Sequence, residues 1–208
     1  MNIHFYLYLC ILKQDNMTKL QKSIDKRNAL IKATIQLVNN HGFHATPMSK
    51  IAKMAKVSPA TIYLYFENKQ DLVNQTYIEV KTKYTDFVFK TYDKNTPVKT
   101  GFELIWKRIA AFNMNECENS FFLTQCNNSP MIDEPIRKEG IKYLQPLLDL
   151  WERGKKEAII KPVSDYILYA YAINPLSFLM MAQKEDEFEL TNAHIDEAFM
   201  AAWDSIKQ

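Results

Sequence analysis

Residues 27–72 read RNALIKATIQLVNNHGFHATPMSKIAKMAKVSPATIYLYFENKQDL, and this stretch decides the fold. Leu30, Ile31, Ala33, Thr34, Leu37 and Val38 recur at the three-and-four spacing of an amphipathic helix. His41-Gly42 closes that helix, because glycine accepts the left-handed conformation of a helix end. Thr46-Pro47 is a start signal, a capping hydroxyl followed by proline at the first helical position. The predicted second helix, 48–55, is too short to stand alone and has a small apolar face of Ile51, Ala52 and Ala55. Ser58-Pro59 repeats the start signal and opens a predicted third helix, 60–66. Two capped helices so close in sequence must cross, which is helix-turn-helix geometry.

Such a unit lays its last helix in the major groove of double-stranded DNA. Small residues at the start of that helix permit close backbone approach, and its free N–H groups attract phosphate. Hydroxyl-bearing side chains hold the sugar–phosphate backbone while the leading side chains reach base edges. The candidate DNA-binding set is therefore Thr46, Ser49, Ser58, Pro59, Ala60, Thr61, Tyr63, Leu64, Tyr65 and Lys69. Ile62 and Phe66 are assigned to the core of the small domain, Tyr63 and Tyr65 to phosphate.

Charge is distributed accordingly. Residues 17–70 carry eight lysines and one arginine against Asp25 and Glu67, whereas residues 71–208 carry 16 basic and 21 acidic residues. The whole-chain net of +2 conceals a basic head joined to an acidic remainder, the electrostatic footprint of a phosphate-binding module.

The run from Gly42 to Leu72 resembles the DNA-binding domain of the TetR family of transcriptional regulators. The resemblance lies in Gly42-Phe43, Thr46, Ile51-Ala52, Val57-Ser58, Thr61-Ile62-Tyr63 and Tyr65-Phe66. Lys69 and Leu72 follow where that family begins its fourth helix. Two positions depart from the pattern. Lys56 stands where the family has a turn glycine and must adopt an unfavourable backbone angle or reshape the turn. Ala60 replaces a glycine before the threonine, a milder change.

The resemblance implies an all-α fold: a three-helix helix-turn-helix domain followed by a larger helical ligand-binding and dimerisation domain. The expected organisation is a doubtful extension at 1–16, a DNA-binding domain at 17–68 and an effector-binding and dimerisation domain at 69–208. Length and composition agree, since 208 residues can bury a substantial core. Gly is scarce and no alternating β pattern persists. Cys10, Cys117 and Cys126 have no metal-ligand or disulfide-framework spacing, so no metal or cofactor is expected and a reduced cytoplasm is the simpler setting.

Residues 3–12 are apolar but too short for a bilayer, which needs roughly 20 residues, and lack the flanks of a signal peptide. No membrane association is expected. Either Met17 is the natural start and 1–16 an over-long reading of the gene, or the segment is an arm that packs on the protein or a partner.

Helices are expected at 71–92, 97–114, 117–126, 135–157 (kinked at Pro146), 163–183 and 191–206. The last two carry more apolar surface than one packed face needs, and in the resembled family the final pair forms a four-helix homodimer interface. Ile167, Ala170, Tyr171, Ile195, Phe199, Ala202 and Trp203 are the candidate contacts. A dimer would present two reading heads to a palindromic operator. Between the middle helices, Phe102, Trp106, Ile109, Phe112, Phe121, Phe122, Tyr143, Leu147 and Trp151 are the candidate lining of a pocket for a small apolar or aromatic effector.

By the resemblance, effector binding would shift the population towards a head separation that no longer fits the operator. The leading expectation is a repressor released from DNA by such a ligand. The alternative is a DNA-bound structural or partner-recruiting protein of the same fold with no effector. No catalytic grouping arises from any local motif, so an enzyme has no positive support.

Overall fold

The computed structural model describes residues 3–185 and 187–208; the side chains of residues 3–16, 128 and 141 lie outside that description, as does the expectation about the segment before Met17. Among the described residues all regular elements are helical, apart from one isolated antiparallel bridge between Ile160 and Lys207. The chain forms two compact units, one ending at Thr76 and the other running from Tyr77 to Gln208. The sequence reading divides the chain at 68/69 instead. The difference arises because Leu72, Val73 and Thr76, on the first turns of the next helix, are fully buried and belong to the first unit.

The first unit contains α1 (Ile3–His41), α2 (Met48–Met54), α3 (Pro59–Ile62) and the start of α4 (Lys69–Phe89). The periodic residues of α1 do form its packed face: Leu30, Ile31, Ala33, Thr34, Leu37 and Val38 are all buried. Gly42 ends α1 at φ +75°, its N–H donating to Val38 O at 2.8 Å. The third helix is shorter than expected. Only Pro59–Ile62 is α-helical, and the chain continues through tighter turns, with Leu64 N–H donating to Thr61 O and Tyr65 N–H to Ile62 O.

Thr46 also departs from expectation. It does not cap α2; its buried hydroxyl donates to Gly42 O (2.8 Å) and Leu37 O (3.2 Å), satisfying carbonyls at the end of α1. The Gly42 carbonyl lies just beyond the end of α1 and has no helical partner, so the hydroxyl is drawn backwards along the chain rather than forwards.

The second unit contains the rest of α4, α5 (Val98–Asn115), α6 (Cys117–Asn128), α7 (Glu134–Gly140), a 3₁₀ turn (Ile141–Leu144), α8 (Gln145–Lys156), α9 (Asp165–Ala172), α10 (Pro175–Lys184) and α11 (Asn192–Ile206). The expected helix 135–157 is thus three pieces, with Pro146 in the first turn of α8 rather than at a mid-helix kink. The expected helix 163–183 is two, separated where Pro175 begins a new helix. Proline has no N–H to continue the ladder from α9 and is suited to a first turn.

Phe102 anchors the core of this unit, its ring centroid 6.5 Å from Trp151, 6.1 Å from Phe199 and 6.0 Å from Trp203. Trp106 stacks edge-on against Phe199 and donates its indole N–H to Ala172 O at 2.7 Å. Burying these rings together ties α5 to α8, α9 and α11.

Candidate nucleic-acid interface and ligand cavity

In the first unit, the helix-turn-helix has a dry side and a wet side. Ile51, Ala52, Ile62 and Phe66 are fully buried beneath α2 and α3. Outward stand Ser49, Lys50 and Lys53 on α2, Lys56 in the turn, and Ser58, Pro59 and Ala60 at the start of α3. Tyr63 is 58% exposed and Leu64 81%. An 81% exposed leucine is unfavourable in water and is suited to an apolar contact such as a thymine methyl.

Ser58 caps α3 as its sequence predicts, accepting from Thr61 N–H at 3.1 Å, and its hydroxyl lies 2.7 Å from that of Thr61. The turn itself is strained, because Lys56 sits at φ +56°, where L side chains crowd the following carbonyl.

Other nominated residues are occupied within the fold. The side chain of Thr46 is fully buried and therefore out of reach of a phosphate. Tyr65 is half-buried, with its hydroxyl 3.1 Å from Ser23 Oγ on α1. Lys69 lies 4.2 Å from the Phe43 ring centroid and donates to His44 O at 3.4 Å, and its partial burial lowers its pKa. These three hold the reading helices in place. Conversely, Lys50, Lys53 and Lys56 were not among the nominated residues although all three are exposed beside them. The clustering of lysine in 50–56 was the signal that could have found them.

In the second unit, most of the nominated pocket lining is packed core. Phe102, Trp106, Phe112, Phe122 and Leu147 are buried against one another and their neighbours, leaving no open surface for a ligand. The helical spacing that singled them out is equally the spacing by which helices fill a core. Phe121 lies beneath the Lys184 ammonium at 4.2 Å, and Ile109 touches only a small void of about 50 Å³. Tyr143 does not line either cavity.

A cavity of about 610 Å³ lies elsewhere in this unit, and of the nominated residues only Trp151 borders it. Its wall combines Tyr77, Lys81, Arg137, Lys138, Glu134, Asp165, Tyr166 and Tyr169 with Leu144 and Leu148. The volume suits a small organic molecule. Burial depresses the pKa of Lys81 to about 8 and raises that of Tyr77 to about 12; Tyr169 is raised for the same reason. Sequence spacing could not find this site, since its residues come from α4, α6, α7, the 3₁₀ turn, α8, α9 and α10 at unrelated intervals.

The nominated dimer residues divide likewise. Ile167, Ala170 and Tyr171 on α9 are exposed, whereas Ile195, Phe199, Ala202 and Trp203 on α11 are buried in the chain's own core and are corrected to that role. Further exposed apolar side chains of this unit include Tyr166, Phe178, Met181 and Met200. His194 completes a reciprocal cap with Thr191 at the start of α11. Among the described residues no helix is long and apolar enough to cross a membrane.

Comparison with known proteins places these features in one lineage. Residues 30–76 match the family model for bacterial regulatory proteins of the tetR family. Residues 97–207 match the tetracyclin repressor-like C-terminal domain. An HTH-type transcriptional regulator of Haemophilus influenzae is 25% identical over 190 residues, covering 90% of this chain and 99% of its own. A second such regulator, from Bacillus subtilis, is 34% identical over 142 residues, covering 67% of this chain and 74% of its own. The crystal structure of a TetR family transcription regulator from Marinobacter aquaeolei superposes with a TM-score of 0.84 at 29% identity, covering 90% of this chain and 98% of its own. With the second model alone spanning more than half of the sequence, the chain belongs to the TetR family of DNA-binding transcriptional regulators, which are not enzymes.

Proposed function

We propose that the protein is a homodimeric repressor that binds a palindromic operator and is released from it by a small organic effector with an apolar or aromatic body. The observation that carries the reading head is the exposed stretch from Ser58 to Leu64, backed by buried Ile62 and Phe66 and bordered by Lys50, Lys53 and Lys56. Ser49, Pro59, Ala60 and Thr61 lie on the same short elements, where Ser49 and Ala60, exposed in the first turns of α2 and α3, have backbone N–H groups suited to phosphate. Dimerisation is supported by the exposed apolar side chains of α9 and α10, where Ile167, Tyr171, Phe178 and Met181 are uncovered in the single chain. The cavity of about 610 Å³ favours an effector over the alternative of a partner-recruiting protein without one. Effector binding would select dimers whose head spacing no longer matches the operator.

The test is selection of bound duplex fragments from the source genome, followed by titration of the enriched fragment at several salt concentrations. The expected result is one shared palindrome, bound with an affinity that falls steeply with salt as counterions are released. Indifference to duplex DNA at low ionic strength would overturn the reading. Loss of reporter expression when the protein is present identifies repression, and a gain would replace it with activation.

A further inference from the structure

The cavity wall in the second unit carries a buried cation that, among the described residues, has no anion beside it. Lys81 is 7% exposed and borders both the large cavity and the small void beside it. Among the described residues its ammonium meets no hydrogen-bond acceptor or carboxylate. Its neighbours are the Tyr77 and Tyr84 rings, with centroids at 5.6 and 5.9 Å, on its own helix. Two other wall residues, Arg137 and Trp151, each carry a buried N–H (Nε and Nε1) without an acceptor. Arg137 donates its Nη2 to the neutral Ser129 carbonyl at 2.8 Å.

The acids of the wall do not compensate these cations. Glu134 is paired with Lys138 at 3.5 Å, and Asp165 with Lys155 at 2.6 Å. Burying an ammonium without an anion is costly, and buried donors left unmade are rare. Such a residue is retained where something else supplies the missing negative charge. Thr124, Asn127, Asn174 and Ser177 add neutral polar groups to the wall, and Leu144, Leu148 and the tyrosine rings give it a portion suited to a hydrocarbon or aromatic body.

We propose that this cavity binds a small organic carboxylate, its anionic head against Lys81 with Arg137 beside it, and its apolar body against Leu144, Leu148 and the tyrosine rings. This assignment rests on the effector reading above and narrows it from any apolar ligand to an amphiphilic monoanion. One uncompensated ammonium and one guanidinium suit a single negative charge. No helix N-terminus or glycine loop is needed to hold it.

The test uses the full-length protein and measures melting temperature and calorimetric affinity with hexanoate, decanoate and phenylacetate. Hexanamide, decanamide and phenylacetamide serve as uncharged counterparts. At least one acid is expected to bind about tenfold or more tightly than its amide. Lys81→Met, which removes a buried charge and so should fold, is expected to abolish that preference while still accepting the amide. Amides that match every acid, or an undiminished preference in Lys81→Met, would overturn the proposal. DNA binding is measured separately on the same samples. An acid that binds through Lys81 without releasing DNA leaves the cavity assignment standing and removes the release mechanism. DNA binding with no acid preferred removes the cavity assignment alone.

Discussion

The phenol of Tyr65 and the hydroxyl of Ser23 meet at 3.1 Å across 42 residues of sequence, joining the end of the reading segment to α1. Tyr65 therefore differs from its neighbour Tyr63, which is more than half exposed. A partly buried side-chain hydrogen bond contributes about 1 kcal/mol. Tyr65→Phe and Ser23→Ala are each expected to lower stability by about that amount, and the double variant by less than the sum. Tyr63→Ala should leave the denaturation midpoint nearly unchanged while weakening binding to every duplex tested. Urea denaturation and DNA titration at fixed salt separate the two; a Tyr63 variant with full DNA affinity would remove its phosphate role.

Lys56 offers a second test at the turn. Its φ of +56° is a position where glycine is at home and an L residue costs roughly 1 kcal/mol. Lys56→Gly is expected to raise stability by about 0.5–1 kcal/mol. Because the exposed ammonium is lost from both heads of the proposed dimer, the slope of log affinity against log salt should become shallower by about 2 if this lysine neutralises a phosphate. A stability gain with an unchanged slope would make Lys56 a turn residue only.

The contrast between the two units explains what the sequence could tell. In the first, local rules dominate: Gly42 stops a helix, Ser58 caps one, and Lys56 stands in a turn whose pattern calls for glycine and does take the left-handed angle. Even so, Thr46 turned back to cap the preceding helix, since carbonyl partners close in space are not marked in sequence. In the second unit, Phe102, Trp106 and Leu147 obey the same periodicity whether they fill a core or line a pocket, so spacing cannot separate the two roles. The decisive residue, Lys81, lies in α4 among ordinary polar positions. Only the packing of α6, α7 and α9 around it makes it a buried charge.

Gly140 provides a third test, at the cavity wall. A Cβ built there would collide with the hydroxyl of Tyr77 and approach the ring atoms Cε1 and Cζ at 3.3 Å. Gly140→Ala is therefore an overpacking change in a buried site, expected to cost about 1–3 kcal/mol. Tyr77→Phe removes the atom that collides most closely. Combining the two should recover a large part of the loss, measured as a double-mutant cycle by denaturation. Strict additivity would mean that the alanine is accommodated by backbone movement instead.

Lys81 gives the last prediction its sign. Burial lowers its pKa from 10.5 to about 8, so between those values the unfolded chain holds a proton that the folded chain has lost. Stability therefore rises with pH through that window, and below about pH 8 the folded state bears the full cost of a buried charge, on the order of 3 kcal/mol. Tyr77 and Tyr84 on the same helix, Cys126 on α6 and Tyr169 on α9 are all raised by burial, and the Arg137 guanidinium on α7 lies on the same wall; these groups are common to wild type and Lys81→Met and largely cancel in their difference. The variant should thus exceed the wild type in stability most strongly near pH 7, with the gap closing towards pH 10. A bound carboxylate stabilises the ammonium, so its affinity should weaken as pH climbs past about 8. Denaturation curves for both proteins across pH 7 to about 10, with and without decanoate, check both trends. A pH-independent gap would mean that Lys81 is not a desolvated ammonium.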